Sequence, residues 1–353
     1  MGDRKVSWRQ TGVLLFTLAA AFCLLAGPIG IAAAKEYRLK IQSVYPRGDT
    51  SMELLTEFAA AAEKRSNGQL KVRVFADPEI FPGDQTFGAV KNGALDMLQG
   101  CGLYWSGIMP VASVEVGLPL TYRITETDDF AAQAEIVRNF FFKDGYIELL
   151  RREYAKQGLY LLDIHTYGPV PFVLATKPLK TLADLKGKKI RAEGINTEFH
   201  SGVGMHGTVI GGGETYMALK LGTVEAAEWD ISAITGMNWH EVAPYWIRGM
   251  ENDHTIGHIL LSLKKWQSYP KPIQEALAGA GEDYWHATVR GYAKELATVR
   301  GLIKEGKVKE VMLDQAAQDK YAQVAKQILD DTAKSDPASA EAVQMIKKWR
   351  NIK

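Results

Sequence analysis

The sequence predicts an α/β chain of two related domains that face a shared cleft, with long C-terminal helices bracing them. Three observations predict it. The first is a βαβ unit near the start, which implies a parallel strand pair under a covering helix. The second is an internal echo: Ala89-Val90-Lys91-Asn92-Gly93-Ala94-Leu95-Asp96 matches Ala218-Leu219-Lys220-Leu221-Gly222-Thr223-Val224-Glu225 at an offset of 129 residues. It carries Gln99 onto Glu228 and Gly100 onto Trp229. The third is the stretch from Pro272 onward, which reads almost wholly as helix.

The first 34 of the 353 residues read as a secretory leader. Arg4, Lys5 and Arg9 make a positive start, Val13 to Leu25 is apolar, and Ala32-Ala33-Ala34 is a small-residue cleavage site. Cleavage after Ala34 leaves 319 residues with 39 basic and 40 acidic side chains. That balance gives no reason to expect nucleic acid or a charged membrane surface. Only Cys101 remains, so an intrachain disulfide is ruled out and the fold must rest on a large core.

Tyr37, Leu39 and Ile41 alternate with polar residues and open the mature chain as a strand. Thr50-x-x-Glu53 reads as a capping box that starts a helix, with Leu54, Leu55, Phe58, Ala59 and Ala62 as its buried stripe. Ser66-Asn67-Gly68 stops it, and Leu70, Val72 and Val74 form the next strand. A short helix over 85–92 and a strand over 94–99 follow, and Val114 to Leu120 reads as closing the first sheet. Residues 125–157 read as helical with a break at Gly145, then Leu159 to Ile164 as a buried strand. A strand over 188–193 carries Arg191, and a small-residue strand delivers Glu228, Trp229 and Asp230 to one place. Thr255 to Leu263 reads as a strand returning to the first domain, before a long amphipathic helix from Ile273 to Ile303. These elements place domain I at 35–164 plus about 255–303 and domain II at 165–254. Residues 304–353 form a C-terminal helical segment packed on both.

The chemistry gathers at strand ends. Arg191 presents a guanidinium fork that holds a carboxylate through two charge-assisted hydrogen bonds; its competing role is a salt bridge to Glu193 or Glu198. Glu228 and Asp230 suit ligand hydroxyls or a hard cation, Na⁺ or Ca²⁺, that also touches a ligand carboxylate. Tyr45, Tyr104, Trp105, Tyr167 and Trp229 all fall at strand ends and are candidate aromatic walls. Glu214, after three glycines, stabilises a helix start. His254 and His258 lack the spacing of a zinc site, and Gly202-Val203-Gly204-Met205-His206-Gly207 precedes a strand where a dinucleotide fingerprint needs a helix. No nucleophile–base pairing stands out.

The run Asp184-Leu185-Lys186-Gly187-Lys188-Lys189-Ile190-Arg191, the segment Ala89–Met97, Phe58–Gly68 and Ala218–Trp229 together resemble the extracytoplasmic solute-binding subunits of TRAP transporters, the DctP-like family. Glu228-Trp229 is similar to the branch that binds 2-oxo acids and lactate with metal assistance. The resemblance implies a periplasmic binding protein, not an enzyme, with two hinged α/β domains and Arg191 paired to a ligand carboxylate. It implies a small organic acid and membrane permease subunits as partners, and leaves a homodimer open. It implies that Glu228, the Trp229 backbone and an acid near Asp253 hold any cation. That branch has an amide before the Arg strand, where this chain has Pro169-Val170-Pro171. Two other readings use the same cleft: an exported enzyme with Glu228 and Asp230 as acid and base, and a periplasmic sensor component.

Overall fold

The computed structural model describes Gly2, residues 35–170 and residues 172–352. The expected leader, apart from Gly2, and Pro171 lie outside the described residues. Eleven strands form two sheets within one unit, Tyr37–Lys353. The first holds β1 (Tyr37–Ser43), β2 (Leu70–Phe75), β3 (Met97–Gly100), β4 (Leu159–Thr166) and β10 (Ile256–Ser262), in the order β2-β1-β3-β10-β4. The second holds β5 (Phe172–Ala175), β6 (Lys189–Arg191), β7 (His206–Thr208), β8 (Ala226–Trp229), β9 (Tyr245–Arg248) and β11 (Lys309–Met312), in the order β11-β9-β5-β8-β6-β7.

Read from opposite ends, the two orders match over five strands, and β11 is an extra edge strand of the second sheet. β1, β2 and β3 run parallel, as do β6, β7 and β8, and each trio is joined by helices. Next to β3 lies antiparallel β10, and next to β8 lies antiparallel β5. The sequence echo therefore marks equivalent positions, with β3 and β8 offset by 129 residues. The chain passes between the sheets at 167–171 and back at 249–255. These two segments are bridged by Val170 and Asn252.

The helix Thr50–Arg65 covers the first sheet with Leu55, Phe58 and Ala62 buried. Its cap is Asp49, one residue earlier than expected, whose carboxylate accepts from the Met52 N–H at 3.0 Å. Glu53 reaches back to the Gly48 N–H, so the acid at the box's end keeps its role. The helix Lys271–Lys304 packs along Thr50–Arg65; Gly291 lets it approach, since a Cβ there would lie 2.6 Å from Leu54. Gly145, at φ +80°, separates helices Phe130–Lys143 and Tyr146–Lys156.

Two expectations fail. Val114 to Leu120 is not a strand: Val111–Glu115 is a helix and Leu120 adopts φ 62°. Every residue from 111 to 119 is buried, so alternation there carries no information about faces. Residues 242–246 read as a lead-in, yet 245–248 form β9 between β5 and β11. The segment after 304 thus begins with an edge strand of the second sheet. Its helices Gln315–Thr332 and Pro337–Arg350 then pack over the surface, Trp349 stacking on Phe140 at 4.3 Å.

The 3₁₀ turn Gly102–Trp105 is built on a glycine with no room to spare: a Cβ on Gly102 would sit 1.9 Å from the Ala112 carbonyl oxygen. Gly102→Ala should therefore cost about 1–3 kcal/mol and lower the melting temperature by several degrees. Gly301→Ala, in a helix with nothing within 4 Å, should not lower it. Thermal denaturation followed by circular dichroism checks both.

Candidate functional site

A small cavity of about 40 Å³ lies where the C-terminal ends of β3, β6 and β8 converge. That is room for roughly three water-sized spheres by the same measure. Tyr45, Tyr104, Tyr167, Arg191, Glu228, Trp229 and Asp230 line it, together with Cys101, Leu103, Val170 and Glu193.

Arg191 ends β6 and is 2% exposed. Its Nε donates to the Ile210 carbonyl at 2.9 Å, and one terminal nitrogen donates to the Glu228 carbonyl at 3.1 Å. The other terminal nitrogen is 3.4 Å from a Glu193 carboxylate oxygen. The guanidinium carbon lies 4.6 Å from the centroid of the Trp229 ring. Two carbonyls, a ring face and one carboxylate thus replace the water that a buried guanidinium loses. Burial pushes the Glu193 carboxyl up, and Arg191 opposes that shift.

Trp229 closes β8. Its indole rests on the glycine run, for a Cβ at Gly212 would lie 2.6 Å from the ring. Glu214 sits in the first turn of the helix Gly212–Lys220 and is exposed. The Glu228 carboxylate accepts from the Asn196 amide at 2.9 Å, with its second oxygen 3.3 Å from His200 Nε2. His200 Nδ1 is 3.0 Å from the Tyr321 hydroxyl on the helix Gln315–Thr332.

Tyr45 makes edge contacts with Tyr104, Tyr167 and Trp229 at centroid distances of 6.1, 6.0 and 5.9 Å. The Tyr45 and Tyr167 hydroxyls are buried beside the Cys101 thiol, and neither has an oxygen or nitrogen partner among the described residues. Burial pushes that thiol up to about 11, so it stays protonated at neutral pH.

Behind the wall lies a pair of acids. Asp49, from the first sheet's helix cap, accepts from Trp229 Nε1 at 3.2 Å. Asp230 accepts from the Ser232 N–H at 2.7 Å and from the Tyr292 hydroxyl at 3.0 Å. Burial raises both carboxyls, and for Asp230 the neighbouring Asp49 raises it further.

Two expected residues lie elsewhere. Trp105 stacks on Phe87 at 5.2 Å and donates to the Tyr154 hydroxyl, inside the first sheet's core. Asp253 accepts from the Ile124 N–H at 2.7 Å and is not among the residues lining the cavity. Sequence reasoning missed Asp49, Asn196, His200 and Tyr292. Glu193 appeared only as a salt-bridge partner, although its place two residues after Arg191 keeps it on the same side of the extended chain.

The model of the family of bacterial extracellular solute-binding proteins, family 7 (DctP), matches residues 41–336. The chain belongs to that family. It is a solute-binding protein and not an enzyme, and the family works outside the cytoplasm. A monocarboxylate 2-oxoacid-binding periplasmic protein of Nostoc sp. PCC 7120 is 24% identical over 296 residues, 83% of this chain and 78% of its own length. The 2,3-diketo-L-gulonate-binding periplasmic protein of Escherichia coli is 22% identical over 324 residues, 90% of this chain and 95% of its own length. Among solved structures, a TRAP periplasmic solute-binding protein of Pseudoalteromonas atlantica with bound sodium and pyruvate superposes with a TM-score of 0.79. It is 22% identical, and the match covers 90% of this chain and 94% of that one. One from Bordetella bronchiseptica, with calcium and picolinate, gives 0.78 at 22% identity, covering 90% and 92%. These likenesses establish the shared two-lobed α/β fold.

The acid pair has a consequence for stability. A carboxyl raised in the folded state stabilises below its unfolded value, near 4, and loses that contribution as pH rises through the folded value. Asp230→Asn keeps an uncharged partner for Asp49, so its melting temperature relative to the parent should rise between pH 5 and pH 8. Differential scanning fluorimetry at both pH values would refute the raised Asp230 carboxyl if the difference does not change.

Proposed function

We propose that this chain captures a small organic carboxylate, in the size range of 2-oxo and hydroxy acids, and presents it to membrane permease subunits. The observation that carries the reading is Arg191. It is the one cation among the residues lining the cavity, and its terminal nitrogen not held by the Glu228 carbonyl lies 3.4 Å from Glu193, another lining residue. A ligand carboxylate would take the place that Glu193 now shares. The ligands named for the four similar proteins above, a 2-oxo acid, 2,3-diketo-L-gulonate, pyruvate and picolinate, each carry a carboxylate.

The lobes in this reading are 35–164 with about 255–303, and 165–254, and they close on the ligand through the segments at 167–171 and 249–255. Residues 304–353 brace both. Tyr45 and Tyr104 come from one side of the pocket and Tyr167, Arg191 and Trp229 from the other, so capture requires both. Location in the periplasm after cleavage behind Ala34 is part of the same proposal, and no feature of the described residues argues for a homodimer.

The donors present do not fit a Na⁺ or Ca²⁺ ion. A hard cation needs six or more oxygens. Here one Glu228 carboxylate oxygen accepts from Asn196, the Glu228 carbonyl accepts from Arg191 and Asp253 is bound to Ile124, so the second Glu228 oxygen, which lacks a hydrogen-bond partner among the described residues, is far short of such a shell. The described residues contain no cluster of three acidic, His or Cys side chains able to ligate a metal. Arg191 itself supplies the positive charge.

Calorimetry with a panel of small carboxylic acids tests the reading. Arg191→Ala should weaken the best binder at least about 100-fold, the loss of its charge-assisted hydrogen bonding. Addition of EDTA should leave the parent's affinity unchanged. An Arg191→Ala protein that binds as tightly as the parent would contradict the assignment.

A further inference from the structure

We propose that the ligand carries a hydrogen-bond-donating group beside its carboxylate, an ammonium first and a hydroxyl second, and that Glu193 selects it. This rests on the carboxylate reading above and narrows it to amino and hydroxy acids over oxo acids and dicarboxylates.

The argument starts from the charges that face the cavity. Three acids line it, Glu193, Glu228 and Asp230, against the single guanidinium of Arg191. Asp230 accepts from Ser232 and Tyr292 on its two oxygens, and one oxygen of Glu228 accepts from Asn196 while the other, buried 3.3 Å from His200 Nε2, has no hydrogen-bond partner among the described residues. Glu193 differs. Its one charged partner is Arg191, at 3.4 Å, and its side chain is 18% exposed.

A ligand carboxylate must use the terminal nitrogen of Arg191 that Glu193 borders, because Nε is committed to Ile210 and the other terminal nitrogen donates to the Glu228 carbonyl. Binding therefore draws Arg191 away from Glu193 and leaves a largely buried carboxylate short of a partner. Such a group is costly unless something donates to it. The ligand's second group decides the outcome. A carbonyl or a second carboxylate turns lone pairs toward Glu193, while a hydroxyl donates one hydrogen and an ammonium donates several and supplies the missing charge. No second cation lines the cavity to receive a dicarboxylate.

The walls favour the same chemistry. Tyr104 and Tyr167 stand nearly edge-on to Tyr45, at interplanar angles of 77° and 65°, and all three line the cavity together with Glu193. A ring face attracts an ammonium group. The Trp229 face is taken by Arg191. The pocket thus divides into a carboxylate end at Arg191 and Trp229 and a donor-seeking end at Glu193 and the tyrosines.

Calorimetry on matched ligands separates the two ideas. Two sets share a carbon skeleton within each set: L-alanine, L-lactate, pyruvate and malonate, then L-valine, 2-hydroxyisovalerate, 2-oxoisovalerate and methylsuccinate. The expected result in at least one set is an amino acid at least tenfold tighter than the oxo acid, the hydroxy acid between them and the dicarboxylate weakest. Glu193→Gln should narrow the amino-to-oxo ratio to less than threefold. A residue with only a structural role would weaken all ligands alike and leave the ratio unchanged. An oxo acid or dicarboxylate that binds more tightly than its amino acid overturns the role of Glu193 and leaves the carboxylate reading intact. Failure of all eight to bind overturns both.

Discussion

A guanidinium with almost no access to water sets the terms for this structure. Arg191 must find acceptors inside the protein, because an unpaired buried charge costs several kcal/mol. The second sheet is built to provide them. β6 lies between β7 and β8, so the chain just after β7 offers the Ile210 carbonyl and β8 offers that of Glu228. Trp229 covers the group, and Gly212 lets the indole lie flat enough to do so. With Nε and one terminal N–H committed to backbone, what is left of the fork points at Glu193 and the cavity.

The repeat gives this arrangement a precedent within the chain. In β1, Gln42 pairs with Leu98 as Arg191 of β6 pairs with Ala227, at equivalent positions in the two sheets. The Gln42 amide donates to the Phe81 carbonyl after β2, as Arg191 Nε donates to Ile210 after β7. Gln99 and Glu228 are equivalent too, and each reaches the helix that follows the neighbouring parallel strand, β1 or β6: Gln99 to Ser51 and Glu228 to Asn196. One sheet uses amides for internal ties. The other places charged groups at the same points, which is where a ligand site can arise from a structural one.

The halves are joined at the pocket's rear. Asp49 belongs to the first sheet's helix cap, Trp229 ends β8 and Asp230 follows it, Tyr292 belongs to the long helix, and all four share one hydrogen-bonded cluster through Ser232. Much of this was beyond the sequence. Strand ends announced Arg191, Glu228 and Trp229, because a charged or aromatic residue after a short apolar run stands out, and the echo located β3 and β8. Asp49 was hidden by Thr50, an equally good cap one residue on. Asn196, His200 and Tyr292 come from helices whose facing depends on tertiary packing. Trp105 shares the strand-end signature of Tyr104, yet one residue along a 3₁₀ turn sends it into the core. Asp253 was proposed from family likeness alone, and a local bond to Ile124 holds it.

The central claim is that this pocket closes on the carboxylate of a small molecule that leaves unchanged. Mass spectrometry of the small molecules released by denaturing freshly purified protein tests it most directly. The account predicts one intact small carboxylic acid, present at up to one equivalent per chain. A stoichiometric compound without a carboxylate would contradict it.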